Sequence, residues 1–183
     1  MYVLVTILAV VILILVCFIK SVETKKLRPL GKTVVITGCD SGVGLSLAIT
    51  AHKLGFHVIA TCLDIFGYGS VLMKEKYPDI IIAQMDVTKP SDIENVLHIV
   101  KDHLEQTHTC LWALINNAGV LVYGHFDWQL ESQVLMQVQV NFVGVLQVTK
   151  AFQSLIRQAK GKPFVGLLVR VSLRLINVSL PSE

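Results

Sequence analysis

Thr37, Gly38, Gly42 and Gly44 fall within eleven residues, VVITGCDSGVG from Val34 to Gly44. Their types suit one task, holding an anion against bare backbone. A glycine turn leaves N–H groups uncovered, and a helix starting behind it adds the positive end of its dipole, so a phosphate or pyrophosphate is the natural guest. The spacing is T-G-x-x-x-G-x-G, with Ser41 and Val43 between the glycines, and not the G-x-G-x-x-G fingerprint of many dinucleotide turns. Glycines that merely make a tight turn are the plain alternative. Further polar signals follow apolar runs: Asp64, Asp86-Val87-Thr88, and Asn116-Asn117-Ala118-Gly119. Asn141 stands alone inside an apolar helical stretch, where an amide costs stability unless it is bonded. It reads either as a bonded core amide or as a functional group.

The elements that would carry these residues follow from periodicity. Val34, Val35 and Ile36 are β-branched and continuous, as in a strand buried on both faces of a parallel sheet. Leu45, Leu47, Ala48, Ile49 and Leu54 lead to Gly55, a helix stopped by a glycine. Phe56 to Asp64 reads as a second strand, Gly67 to Ser70 as a turn, Met73 to Lys76 as a short helix, and Ile80 to Met85 as a third strand. Ser91 and Glu94 have the spacing of a capping box, and Ile93, Val96, Leu97, Val100 and Leu104 trace one helical stripe. Leu111 to Ile115 predicts a fourth strand, and about Glu131 to Gln158 a long helix. Strands alternating with helices predict an α/β protein, a doubly wound parallel sheet with right-handed crossovers. In such sheets ligands gather at the carboxyl ends of the strands, where the glycine loop, Asp64, Asp86 and the Asn116–Gly119 turn converge.

Across 183 residues, 53% are hydrophobic, and the mean hydropathy of +0.64 is high for one ordinary soluble domain. The excess is local. Tyr2 to Ile19 is almost unbroken apolar sequence, long enough for a hydrocarbon core of roughly 30 Å. No basic residue precedes the run and no A-x-A-like site follows it, which favours an uncleaved anchor over a signal peptide. Lys20, Lys25, Lys26 and Arg28 come directly after it, so the rest of the chain is expected to face the cytoplasm. The organisation expected is an anchor over 1–19, a basic juxtamembrane linker over 20–30 and a domain over 31–183. The net charge of +3 then has a local source, and no basic stripe with interleaved aromatics points to nucleic acid. Cys17, Cys39, Cys62 and Cys110 contain no C-x-x-C pair and read as reduced, buried small hydrophobes. His98, His103 and His108 recur every five residues, a spacing that rotates around a helix and argues against a metal cluster.

TGCDSGVG, Met85-Asp86-Val87-Thr88, Asn116 to Gly119 and the Val140-to-Gly144 segment VNFVG resemble, in order and spacing, the motifs of the short-chain dehydrogenases/reductases over about Lys32 to Lys160. With the apolar amino-terminal segment, the resemblance is to the membrane-bound retinol and 17-beta-hydroxysteroid dehydrogenase branch. It implies a Rossmann-like domain and a nicotinamide cofactor. Thr37, Gly38, Ser41, Gly42, Val43 and Gly44 would form the phosphate turn, Asp86 and Val87 would bond the adenine, and Asn116, Ala118 and Gly119 would form the shelf under the ribose. It implies that Asn141 helps hold a water in a proton relay, that the 131–158 helix serves a homodimer or only covers its own sheet, and that the membrane is the endoplasmic reticulum. An acidic group after the second strand bonds the ribose 2′-hydroxyl and repels a 2′-phosphate. Cys62 stands at the usual place and Asp64 two positions on, with no Arg or Lys between Lys53 and Lys74. NAD is therefore expected over NADP, with Asp64 as discriminator.

The family reaction implies a tyrosine acid/base, a lysine four residues later and a serine that orients the substrate oxygen. Four places after Tyr2, Tyr68, Tyr77 and Tyr123 stand Thr6, Leu72, Ile81 and Asp127, so no Tyr-x-x-x-Lys is present. If Leu175 to Ser179 is the fifth strand, Ser179 falls one residue early and the second serine of the family's N-V-S-S falls on Leu180. On this reading Lys162 to Leu173 is an insertion, from an altered transcript or gene model, and the sheet is truncated after about its fifth strand. Two functions stay open. One is hydride transfer to or from a lipophilic alcohol or ketone, a retinoid, steroid or other lipid. The other is membrane-tethered nucleotide or partner binding without chemistry. Asn177-Val178-Ser179 is a glycosylation sequon that a cytoplasmic domain would leave unmodified.

Overall fold

The computed structural model describes residues 29–158 and the strand at 164–167. The expected anchor over 1–19, most of the linker over 20–30, Cys17, Asn177 and Ser179 lie outside the described residues. Among the described residues no helix is long and apolar enough to cross a membrane.

Among the described residues five strands form one parallel sheet in the order β3-β2-β1-β4-β5, with β1 at Lys32–Ile36, β2 at His57–Cys62, β3 at Ile81–Gln84, β4 at Cys110–Asn116 and β5 at Phe164–Leu167. The helices are α1 (Gly42–Lys53), α2 (Tyr68–Lys76), α3 (Pro90–Thr107), α4 (Glu131–Val138) and α5 (Val145–Gln158). Alternation along β1 sends Val35 to one face, with Ile93, Val96 and Val100 of α3 and Val148, Phe152 and Ile156 of α5. It sends Val34 and Ile36 to the other, with Leu45 and Ala48 of α1 and Met73 of α2. Covering both faces explains why these strands read as unbroken apolar runs. The strand order places the switch of winding direction between β1 and β4, where ligands bind in such sheets.

Gly55 ends α1 as expected. Its N–H donates to the His52 carbonyl at 2.8 Å and that of Phe56 to Ala51 at 3.2 Å, a Schellman motif whose Phe56 is then buried against Trp112. Trp112 is the extra residue of a bulge, because Thr33 pairs with Leu111 and Val34 with Ala113.

Several expectations are corrected. The Ser91–Glu94 capping box does not form: Pro90 starts α3 at its first position with Lys89 as N-cap. Proline's fixed φ suits that place and puts Ser91 inside the first turn, where its hydroxyl donates to Asp92. Of the Gly67–Ser70 turn, Tyr68 onward belongs to α2. A Cβ on Gly69 would strike the Asp40 carbonyl, so this glycine serves close approach of α2 to the first loop. The 131–158 helix is broken by a π-helical segment at Gln139–Gly144. The fifth strand is Phe164–Leu167, paired with Ala113–Asn116, inside the stretch read as an insertion. Cys39 and Cys62 are buried free thiols, whereas Cys110 is only half-buried.

Candidate functional site

A cleft of about 370 Å³ opens at the carboxyl ends of the strands. The β1–α1 loop brings Gly38, Asp40, Ser41, Val43 and Gly44 to it; β2 brings Leu63 and Asp64; β3 brings Met85, Asp86 and Val87; β4 brings Asn117 to Val120, and Val140 closes the far wall. Four strand ends thus meet in one concavity.

Thr37 holds the loops in place. It is buried, its N–H donates to the Ile115 carbonyl at 3.0 Å, and its Oγ1 accepts the N–H groups of Asn117 at 3.0 Å and Ala118 at 2.9 Å. Gly38 follows at φ +69°, with its Cα hydrogen toward the β4 turn. A side chain there would bring Cβ to 2.7 Å from the Ala118 Cα, so only glycine fits. Gly44, in the first turn of α1, is buried against the carbonyl of Gly38.

The amino end of α1 borders this cleft with no side-chain cap of its own. Its N-cap Ser41 makes no side-chain cap bond, and its first turn contains no acidic residue. The free N–H groups and the dipole therefore attract a bound anion. Asp86 borders the same cleft. Burial pushes its carboxyl up, but hydrogen bonds from Thr88 N at 2.9 Å and Thr88 Oγ1 at 2.7 Å, with Lys89 beside it, outweigh that and hold it below its ordinary 3.8. It is a fixed, charged acceptor.

Several expected site residues are placed differently. Asn116 is buried and donates to the Thr149 hydroxyl at 3.1 Å, away from the cleft; it shares a strand face with Leu114, which packs toward α5. Asn117 borders the cleft instead, and its side-chain amide donates to the carbonyls of Thr37 and Gly38. Thr37 and Gly42 are not among the residues that line the cleft, although Gly42 opens α1 between Ser41 and Val43, which are. Asn141 is half-buried and uses both ends of its amide on Val120, accepting its N–H and donating to its carbonyl, each at 2.8 Å. Its effect on the site is to pin the wall after the Ala118–Gly119 turn. Asp40 was not among the expected residues, although a carboxylate inside an anion-binding loop is a signal in the sequence itself. Among the described residues no group of three or more His, Cys, Asp or Glu could hold a metal ion.

A doubly wound sheet with a glycine turn and an uncapped helix end at its switch point defines a nucleotide-binding class of fold. Residues 32–167 match the family model for short chain dehydrogenase, and the chain belongs to that family. It is 39% identical over 139 residues to the mitochondrial D-beta-hydroxybutyrate dehydrogenase of Bos taurus, covering 73% of this chain and 40% of that protein. It is 40% identical over 136 residues to estradiol 17-beta-dehydrogenase 2 of Rattus norvegicus, covering 72% and 34%. Among solved structures, the NADPH-bound carbonyl reductase from chicken fatty liver superposes with a TM-score of 0.64 at 26% identity, covering 69% of this chain and 52% of that one. The chain spans about two fifths or less of the length of these curated relatives.

Proposed function

We propose that the cleft holds a nicotinamide dinucleotide and that the protein serves hydride transfer to or from a lipophilic alcohol or ketone of the steroid or retinoid kind. The observation that carries this is the uncapped amino end of α1 opening into a cleft to which Asp64, Asp86 and the Asn117–Gly119 turn also contribute. When bound, the dinucleotide would supply the hydride acceptor or donor. The chain's own residues would do the holding: the first-turn N–H groups of α1 on the pyrophosphate, Asp86 with Val87 on the adenine, and Ala118 and Gly119 under the ribose. Asn141 and Val120 would keep that wall rigid. The family likeness and the chicken reductase's bound NADPH support a nicotinamide cofactor; the acidic edge near Asp64, without Arg or Lys between Lys53 and Lys74, favours NAD over NADP.

One observation favours a second reading for these 183 residues taken by themselves. They contain no Tyr-x-x-x-Lys, so they would bind the dinucleotide without turning substrate over. Titrating the full chain in detergent with NADH by fluorescence, then assaying retinol and estradiol oxidation, separates the two. Binding without turnover supports the non-catalytic reading, turnover supports the enzyme, and absence of NADH binding refutes both.

The same proposal includes anchoring in the endoplasmic reticulum membrane through residues 2–19 with the domain in the cytoplasm. A mobility shift removed by an N-glycosidase would overturn that topology. A homodimer through 131–158 is supported by an exposed stripe, Leu135, Val138, Phe142 and Leu146, at 59%, 50%, 62% and 54% exposure. Leu146→Glu should convert a dimer to a monomer in sedimentation, and an unchanged mass would count against this interface.

A further inference from the structure

We infer that Asp40 in the glycine loop, rather than Asp64 at the end of β2, is the acidic group that meets the adenosine ribose and turns away a 2′-phosphate. The inference rests on the dinucleotide reading above. The Asp40 carboxylate reaches across to the end of β2, where Oδ2 accepts the Leu63 N–H at 3.0 Å and Oδ1 accepts the Asp64 N–H at 2.9 Å. Successive backbone N–H groups past a strand end are a natural seat for an anion. Here the seat is filled from within. A carboxylate offers about four lone-pair directions, so two remain for hydroxyl donors from the cleft that Asp40 borders.

The two alternatives at this edge are a buried thiol and a carboxylate turned back on its own loop. Cys62, at the usual acidic place, is fully buried. Asp64 folds its own carboxylate back, Oδ1 accepting the Phe66 N–H at 2.8 Å in an Asx turn. The loop is held from behind by Gln84, donating to the Leu63 carbonyl at 3.1 Å, and by Ser70, whose hydroxyl donates to the Asp64 carbonyl at 2.8 Å. The cation of Lys74 is engaged on the loop's own chain, donating to the Ile65 carbonyl at 3.3 Å with its Nζ 5.9 Å from the Phe66 ring centre. A 2′-hydroxyl arriving here finds a fixed acceptor. A 2′-phosphate finds a fixed negative charge and two N–H donors already used.

The test compares NADH and NADPH affinities of the full chain in detergent, by fluorescence titration, in the wild type, Asp40→Asn and Asp64→Asn. Asp40→Asn should raise the NADPH-to-NADH affinity ratio roughly tenfold or more, since a like-charge contact is removed, whereas Asp64→Asn should move it by less than about threefold. Competition by 2′,5′-ADP against 5′-ADP should shift in the same sense. A merely structural role for Asp40 would weaken both nucleotides together and leave the ratio alone, which overturns the inference. So does a tenfold change in Asp64→Asn, a result that stands even if Asp40→Asn fails to fold. Absence of binding of either nucleotide to the wild type overturns the dinucleotide reading itself, and this inference with it.

Discussion

The side-chain amide of Asn117 donates to the backbone carbonyl of Gly38 at 2.9 Å, although the two residues are 79 positions apart. It ties the turn after β4 to the glycine loop after β1, and Thr37 completes the tie from the other side by accepting two N–H groups from that turn. The cleft therefore has a rigid floor.

Thr37→Val should test that floor. The substitution keeps the shape but leaves the Asn117 and Ala118 N–H groups without their acceptor in a buried setting. At about 1–3 kcal/mol for each of the two unsatisfied groups, a loss of roughly 2–6 kcal/mol is expected in urea unfolding. Thr37→Ser, which keeps the hydroxyl, should recover most of it; a loss in Thr37→Ser as large as in Thr37→Val would show that the two hydroxyl bonds do not by themselves account for what Thr37 contributes.

Gly38→Ala should damage binding and stability together. The left-handed backbone costs about 1 kcal/mol or somewhat more for alanine, while the contact with Ala118 forces apart the two loops that Thr37 and Asn117 tie together at the anion seat. NADH affinity should fall at least about tenfold, or 1.4 kcal/mol, and the melting temperature should fall as well. Unchanged affinity would remove the glycine loop from the nucleotide site.

Acid should reach the cleft through Asp86. Its carboxyl is held below 3.8 in the folded chain, so the stability it contributes is present above the unfolded value and lost as pH falls through the lower folded one. Thr88→Val removes the 2.7 Å hydroxyl bond and should move the Asp86 titration upward when followed by NMR. A downward or absent shift would contradict the assignment of Thr88 as its main hydrogen-bond partner.

A second pH response belongs to the other end of the sheet. His103 on α3 lies 5.4 Å from the ring of His57, and its Nε2 is covered without a hydrogen-bond partner. Burial first, then the His57 charge, lowers its pKa from 6.5. As pH falls, the unfolded chain takes this proton before the folded one, so stability present above 6.5 is lost through the window below it. Comparing urea midpoints at about pH 7.5 and about pH 5.5, which bracket the ordinary histidine value, His103→Phe should show a smaller drop than the wild type. An identical drop would place the pH sensitivity elsewhere.

Much of the sheet was legible because β-branched runs such as Val34–Ile36 bury on both faces and leave little else for such residues to do. The glycine turn was legible for the same kind of reason, since Gly38 and Gly44 meet backbone that no side chain could approach. What was not legible depended on phase and reach. Which of two adjacent asparagines faces the cleft is decided by the pleat of β4, and that sends Asn116 to Thr149. Asp40 becomes significant only when the β1–α1 loop lies beside the end of β2. Pro90 took the helix start that Ser91 and Glu94 had signalled, because a preset backbone angle outweighed a side-chain cap. The fifth strand lies at Phe164–Leu167, an apolar run that carries no motif, whereas the family's spacing falls on Leu175–Ser179.

The tie between Asn117 and the glycine loop also sets an order of events during synthesis. The motif from Thr37 to Gly44 leaves the ribosome early, yet its seat is made by residues about 80 positions later. At about 5–20 residues per second, the loop waits several seconds for β4 before its carbonyls and the Thr37 hydroxyl find their partners. A nascent chain stopped before Cys110 would carry the whole glycine motif with half of its seat missing, so nucleotide can help fold this domain only after β4 has joined the sheet.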